Sequence, residues 1–365
     1  NDFVSINHPN LLHYLDVVAL GTVCDVMTLT GPNRAFVANG LKIIKNRTNL
    51  GLAALYDVTG IKETPNCYHL GYALGPRINA GGRVGIADLG SKLLSCSDEL
   101  EAMNIAHKLN EFNDKRRVIE DEVLQEAINI AELQSDNKML FICGEGWHPG
   151  IIGIIASRIK EKFGKPTAII TFDEDGIGKA SCRSVNNVDL GANIVEAKLQ
   201  DLLISGGGHA MAAGFTIEKS KLQSLIDFLN EKIAQELEQA ASPCESFYDA
   251  ELNINAIKSS FIDELQILGP FGNGNSEPVF KISNLFVLQA RIVSNKHISC
   301  IFAADKTNYS NHSIRAIAFN ASQTALEDLL LSRTAHRLSV IATLKNNLWN
   351  DRVTPQLIIR DVIVK

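Results

Sequence analysis

The stretch SGGGHAMAAG, from Ser205 to Gly214, sets three consecutive glycines before a single histidine and follows them with a methionine between alanines. Glycine in series costs backbone entropy on folding, so it is expected where the chain needs φ > 0 or where another molecule must come close to the backbone. Four other stretches share this make-up of small residues around one charged or ring side chain: ALGTVCDVM (19–27), LGPRINAGGR (74–83), GEGWHPGIIGIIASR (144–158) and GKASCRS (178–184). Such stretches suit a phosphate or nucleotide approaching the backbone while one side chain supplies charge.

Arg77 and Arg83 lie six residues apart across INAGG. A turn stiffened by Pro76 and the glycine pair would aim both guanidiniums at one anion; the alternative is two surface arginines flanking a turn. In GEGWHPG, Pro149 marks a helix start and leaves Trp147 and His148 beside a positive dipole end, either as ligand contacts or as a capping turn with a buried indole. Ser181 and Arg183 alternate along an extended strand and share a face, forming a phosphate clamp or, equally well, an edge-strand ion pair. Asp25 stands in the apolar run VVALGTVCDVM, where an unpaired carboxylate is costly to bury. It is expected to cap a helix, pair with a base or bind a metal.

These residues need a scaffold larger than one core. A length of 365 residues predicts two or three domains, and 45% hydrophobic with 21% charged residues is the balance of an ordinary folded protein. No apolar run reaches the length of a membrane span, and NDFVSINHPN lacks the make-up of a signal peptide, so a cytoplasmic protein is expected. The seven cysteines, at 24, 67, 96, 143, 182, 244 and 300, include no C-x-x-C pair and read as reduced, mostly buried thiols. Residues 1–100 carry eight basic and eight acidic residues, 101–245 fifteen and twenty-three, and 284–365 ten and five. Only the last stretch has the sign that attracts polyanions, and chance accounts for such small counts equally well.

NRAFVANGLKIIKN and NLGLAALYDVTG read as helices, the second closed by a glycine cap. From Ser97 to Asn137 neither Gly nor Pro interrupts an apolar stripe running through Leu100, Met103, Leu109, Phe112, Ile119, Val123, Ala127 and Ile130. A single helix of roughly 35 residues would reach on the order of 50 Å and is expected to be an interdomain strut. KMLFIC, IIGIIASRIKEKFG, TAIITF, GIGKASCRS and KLQSLIDFLNEKIAQELEQ then alternate strand and helix as in an α/β domain. ASPCES reads as a linker, and from Phe247 about five short strands and one helix fit an OB-like barrel or a generic β-barrel.

The ordered set LDVVALGTVCDV, GPRINAGGR, EGWHPGIIGIIASR, GGGHAMAAG and GPFGNGNSEPVF resembles the RecJ single-strand-specific exonucleases of the DHH phosphoesterase superfamily over essentially the whole chain. The resemblance implies an α/β multidomain protein. Its parts are the remnant of a DHH domain (1–96), a long connecting helix (97–137), a DHH-associated domain (138–241) and a C-terminal OB-fold domain (246–365). By position, Asp25 corresponds to the last metal-binding aspartate and His209 to a histidine near the scissile phosphate, the two forming the implied catalytic pair. Arg77, Ser181 and Arg183 correspond to contacts with the 5′ end and its phosphate. Gly206, Gly207 and Gly208 would line the cleft, and Arg83 and His148 are grouped with the substrate-binding residues without a defined contact. The implied chemistry is 5′ to 3′ hydrolysis of single-stranded DNA in repair and recombination, with two Mn²⁺ or Mg²⁺ ions.

This sequence departs from the family's pattern in carrying Gly81 where alanine is usual and Ser276 where proline is usual. More important, the family's earlier motifs are absent: no D-x-D strand precedes Asp25, and nowhere are two histidines adjacent. Asp25 alone cannot hold two ions, so the expectation is a chain that lacks an earlier part of the catalytic domain, leaves the two-metal site incomplete and binds DNA better than it cuts. A monomer without membrane contact is expected, with a helicase or single-strand-binding protein as partner. Two alternatives stand beside this reading: a non-catalytic single-strand-binding scaffold, and a small phosphodiesterase acting on short oligonucleotides or cyclic dinucleotides. Stacking candidates in the barrel are Phe271, Phe280, Phe286, Phe302, Phe319 and Trp349.

Overall fold

A computed structural model describes residues 10–239, 246–305, 313–332, 337–349 and 352–364. These form two compact units, one gathering the described residues within Asn1–Asn46, Thr64–Gly71 and Cys244–Lys365, the other those within Arg47–Glu63 and Tyr72–Pro243. The first unit begins with helices α1 (Leu15–Cys24) and α2 (Gly31–Lys45), which pack on each other.

The second unit opens with α3 (Leu50–Thr59), capped by the Asn49 side chain at one end and, as expected, by left-handed Gly60 at the other. Then come α4 (Gly75–Val84), α5 (Leu89–Leu94) and the 34-residue α6 (Glu99–Glu132). Asp98 caps α6 by accepting from the Glu101 N–H at 2.7 Å. Residues Ala102, Ala106, Leu109, Asn113, Glu120, Val123, Ala127 and Ala131 make one buried stripe along the helix. Its first half packs on α3, α4 and α5, its second half on α7 (Pro149–Phe163) and β1 (Leu140–Glu145). The long helix therefore joins two layers of one compact unit instead of crossing open space as a bare strut.

The second layer continues through β2 (Thr167–Phe172), β3 (Ile177–Arg183), α8 (Leu190–Leu199), β4 (Ser205–His209), β5 (Ala212–Glu218) and α9 (Leu222–Gln239). Its sheet has the order β1-β2-β3-β5-β4, with β1 and β2 parallel and the other pairs antiparallel. Strand alternation divides it cleanly. Phe141, Ala168, Ile170, Cys182, Ala213, Phe215 and Ile217 face a core that includes Ile194 of α8 and Leu225 and Leu229 of α9. Leu140, Ile142 and Ile169 face Ile151, Ile155 and Ile159 of α7 and the stripe of α6. On this second face the apolar cover stops short of β5 and β4.

The first unit resumes with β6 (Ala250–Leu252) and α10 (Ser259–Leu265). It continues through β7 (Phe280–Val293), β8 (His297–Ala303), β9 (Ser313–Ala318), α11 (Ala325–Leu331), β10 (Leu338–Trp349) and β11 (Arg352–Val364). The order β7-β8-β9-β11-β10 closes through a β10–β7 pairing, which makes a five-stranded OB barrel with β6 added at β7. The strands are longer than expected, 14 residues for β7 and 13 for β11, because each runs past its barrel partners into a second pairing or an exposed ribbon. Among the described cysteines only Cys182 and Cys300 are buried, with Cys24, Cys67, Cys96 and Cys143 partly exposed, so the thiols are less enclosed than expected. Cys244 and most of the ASPCES linker lie outside the described residues.

Candidate nucleic-acid interface

The uncovered half of the sheet face carries the strongest candidate site. Across β3, β5 and β4, Arg183 pairs with Ala212 and Ala212 with His209, while Ser181 pairs with Gly214 and Gly214 with Gly207. Paired residues on neighbouring strands point to the same side, so Ser181, Arg183 and His209 share one face, over a floor with almost no side chains. The Arg183 guanidinium donates to Ser181 Oγ at 3.2 Å and to the Cys182 carbonyl at 2.8 Å. Gly153 of α7 is the wall behind this pair: a Cβ there would come within 3.0 Å of Ser181 Oγ and 3.2 Å of the guanidinium. His209 is exposed at the end of β4. The following turn is pinned by Ser184 N–H to the Met211 carbonyl and Leu190 N–H to the Ala210 carbonyl.

The three glycines have three different reasons. A Cβ on Gly206 would strike Ile194 at 2.8 Å on the core side, and one on Gly208 would overlap the Ala212 carbonyl oxygen. On Gly207 it would meet nothing within 4 Å. The bare position on the open face is therefore required by nothing inside the chain.

Arginines from other elements of the same unit enrich the region in positive charge. Arg83 donates to the Gly150 carbonyl at 2.7 Å, at the start of α7. Burial lowers the Arg183 pKa from its usual range, and repulsion from Arg83 adds to this. Burial likewise lowers that of Arg116, partly opposed by Glu120, with Arg83, Arg117 and Arg158 as like-charged neighbours. Glu120, 1% exposed, takes Arg158 at 2.6 Å and Arg116 at 3.5 Å. Half-buried guanidiniums short of counter-charge attract an anion strongly. Sequence reading missed Arg116, Arg117 and Arg158; the available signal was the RRVIE run inside α6, with Arg116 and Glu120 four apart.

Two expectations change. LGPRINAGGR is not a turn: residues Gly75–Val84 are helical and continue directly from a π-helical stretch, His69–Leu74, with Pro76 just past the change of helix type. Six residues along a helix put Arg77 and Arg83 about 120° apart around its axis, so they do not converge on one anion. Arg77 turns to α6 instead, donating from Nε to Asn110 Oδ1 at 2.8 Å, and burial lowers its pKa despite nearby Asp114. His148 takes the capping alternative. Its Nδ1 accepts from the Gly150 N–H at 3.0 Å, and the neighbouring Trp147 indole is buried and donates to Glu126.

In the other unit, Asp25 is exposed although its run is apolar, because α1 ends at Cys24 and Asp25 is its C-cap. The acid that is buried is Asp16, the residue just before that run. On the barrel, Phe280 and Phe302 are core residues and cannot stack on a ligand. Phe271 is only partly exposed, and the Arg337 guanidinium covers the Phe286 ring at 5.1 Å. Phe319 is 56% exposed, edge-on to His297 at 5.2 Å, and the Trp349 side chain lies outside the described residues.

A model of the DHHA1 domain matches residues 136–235, and a model of the RecJ OB domain matches residues 248–361. Over 357 residues the chain is 31% identical to the single-stranded-DNA-specific exonuclease RecJ of Bacillus subtilis (strain 168), covering 96% of this chain and 44% of that one. Along nearly its whole length the chain is similar to RecJ exonucleases, and it carries a DHHA1 domain and a RecJ OB domain. RecJ of Salmonella typhimurium is 33% identical over 303 residues, covering 80% of this chain and 52% of its own. The chain thus spans about half the length of the curated relatives it matches. RecJ structures from Thermus thermophilus, in complex with Mn²⁺ and with Mg²⁺, align with TM-scores of 0.81 and 0.80 at 27% and 26% identity. They cover 97% of this chain, and 50% and 52% of theirs is matched.

No group of three or more His, Cys, Asp or Glu is placed to hold a metal ion among the described residues. Asp25 contributes one carboxylate, and among the described residues no further ligands are gathered with it, so no hydrolytic step follows from them. No described helix is long and apolar enough to cross a membrane.

Proposed function

We propose that this chain holds single-stranded DNA for a RecJ-type 5′ to 3′ exonuclease acting in DNA repair and recombination. The observation that carries the reading is the open sheet face: Ser181, Arg183 and His209 rim a glycine floor in which Gly207 leaves room for nothing the chain itself supplies. A phosphate seated against Arg183 and Ser181 would gain charge-assisted hydrogen bonds, and His209 would reach the next phosphodiester. Arg83 and the arginines of α6 and α7 extend the positive field along the strand's path. Arg77 and His148 act by bracing α4 and α7, which carry this region. The barrel adds a second platform through Phe319, His297 and the exposed Arg291 and Arg315.

Asp25 is read as one ligand of a Mn²⁺ or Mg²⁺ site. A carboxylate at a helix C-terminus opposes the helix dipole, so stability does not explain its place there. A binding-only role is favoured by one observation, the lack of a metal-holding group among the described residues. The test is a time course of 5′-labelled and 3′-labelled single-stranded DNA with Mn²⁺, run beside a binding titration. Single-strand binding that Arg183→Ala weakens supports the reading, and release of 5′ nucleotides weakened by the same substitution would add the exonuclease activity itself. Failure to bind single strands would sink both.

A further inference from the structure

The GPFGNGN loop of the barrel unit, Gly269–Asn275, carries no contact in the proposed function, yet it is tied closely to the segment that follows Asp25. The Leu29 N–H donates to the Asn273 carbonyl at 2.6 Å, and Asn273 Nδ2 donates to the Val26 carbonyl at 2.8 Å. Arg34 of α2 donates to the carbonyls of Leu268 at 2.6 Å and Gly269 at 3.1 Å. Asn275 braces the loop from within, donating to the carbonyls of Leu268 and Pro270. The two surfaces fit without a gap. A Cβ on Gly274, whose φ is +73°, would overlap Thr28 Cγ2, and one on Gly272 would lie 2.7 Å from Leu29 Cδ1. Leu29 itself is 2% exposed.

Val26, the residue after Asp25, has φ +54°. A β-branched residue in the left-handed region is strained, and such strain persists only where the surroundings impose it. The atom that Asn273 holds is the carbonyl of that residue. We infer that the Gly269–Asn275 loop is a clasp that keeps Val26 left-handed and so orients the Asp25 carboxylate, making Asn273 a positioning residue and not a nucleic-acid contact. The inference rests on the reading that Asp25 serves the hydrolytic centre.

The isosteric Asn273→Asp removes the hydrogen bond donated to Val26 and keeps the loop's shape. Hydrogen exchange of the amides of residues 26–30 is expected to quicken on the order of tenfold, while oligo(dT) affinity stays within about twofold of the parent. Adding Val26→Gly should return exchange toward the parent rate, because glycine adopts positive φ without strain. Where 5′ release is measurable, Asn273→Asp should lower kcat and leave KM unchanged. Unchanged exchange with oligo(dT) binding weakened about tenfold or more would make the loop a DNA contact and overturn the clasp. Faster exchange that Val26→Gly does not restore would also overturn it. Asp25→Asn separates the two ideas: full turnover in that variant removes the reading of Asp25, while the exchange data still decide whether the clasp exists.

Discussion

Arg183 and His209 stand on one sheet face, each directly opposite Ala212 on the strand between them. Two strand spacings set their backbones about 10 Å apart, enough for a phosphate and its sugar to lie between the guanidinium and the imidazole. Arg183→Ala is therefore expected to weaken single-strand binding by about tenfold to a hundredfold, the range for a hydrogen bond to a charged group. The slope of log K against log salt should fall by about one. A titration of labelled oligo(dT) at several salt concentrations checks both; a slope equal to the parent's would mean that Arg183 meets no phosphate.

Gly207→Ala separates folding from binding. Since a Cβ there meets nothing within 4 Å, thermal unfolding should be unchanged or slightly raised, while single-strand affinity drops. Gly206→Ala should do the reverse in the melt, because its Cβ collides with Ile194 in the core. Melting curves and oligo(dT) titrations on the two variants suffice.

Gly153→Ala probes the wall behind the clamp. The new methyl group would press on Ser181 Oγ and the Arg183 guanidinium, both ends of side chains that can shift. A small change in stability with a clear loss of single-strand affinity is expected, and an affinity equal to the parent's would show that the clamp tolerates displacement.

Glu120→Ala leaves Arg116 without its buried counter-charge, since Glu120 is 1% exposed and faces Arg116 and Arg158. Breaking such a pair costs about 3–5 kcal/mol. Urea unfolding should show that loss, whereas Asp88→Ala, which breaks an exposed, solvent-screened pair with Lys92, should leave the midpoint close to the parent's.

Alkali should destabilise the fold through its thiols. Burial raises Cys182 and Cys300 to about 12, and Cys24, Cys67 and Cys143 to about 11, from an ordinary 9.0. A folded pKa above the unfolded one gives stability that is complete below pH 9 and lost as pH rises toward 11 and 12, by about 1.4 kcal/mol per pH unit for one thiol. Urea midpoints at pH 8, 9 and 10 should fall in that order. They should fall less steeply in Cys182→Ala, whose small apolar side chain replaces the most enclosed thiol.

Much was legible along the chain because it is local. Caps such as Asn49, Asp98 and Gly60 act within a turn of their own residue, and the stripe of α6 shows in its 3.6-residue spacing. The two-residue repeat that puts Ser181 and Arg183 on one face is equally local. Pro149 and Gly164 bracket α7 for the same reason. The run INAGG misled because glycines suggest a turn, while the helix made there is held by packing against α6, which no local rule reports.

The sequence by itself determined the order of the elements and the identity of Ser181, Arg183, His209 and the glycines around them, since these follow from spacing and residue type, but it did not single out the arginines at 116, 117 and 158. Only the tertiary structure decided which of them meet. Strand register joins Arg183 to His209 across Ala212, helix rotation parts Arg77 from Arg83, and a loop from near the barrel closes on the turn after Asp25. Contacts between residues far apart in the chain depend on how whole elements dock, and that is set by the summed burial of many side chains.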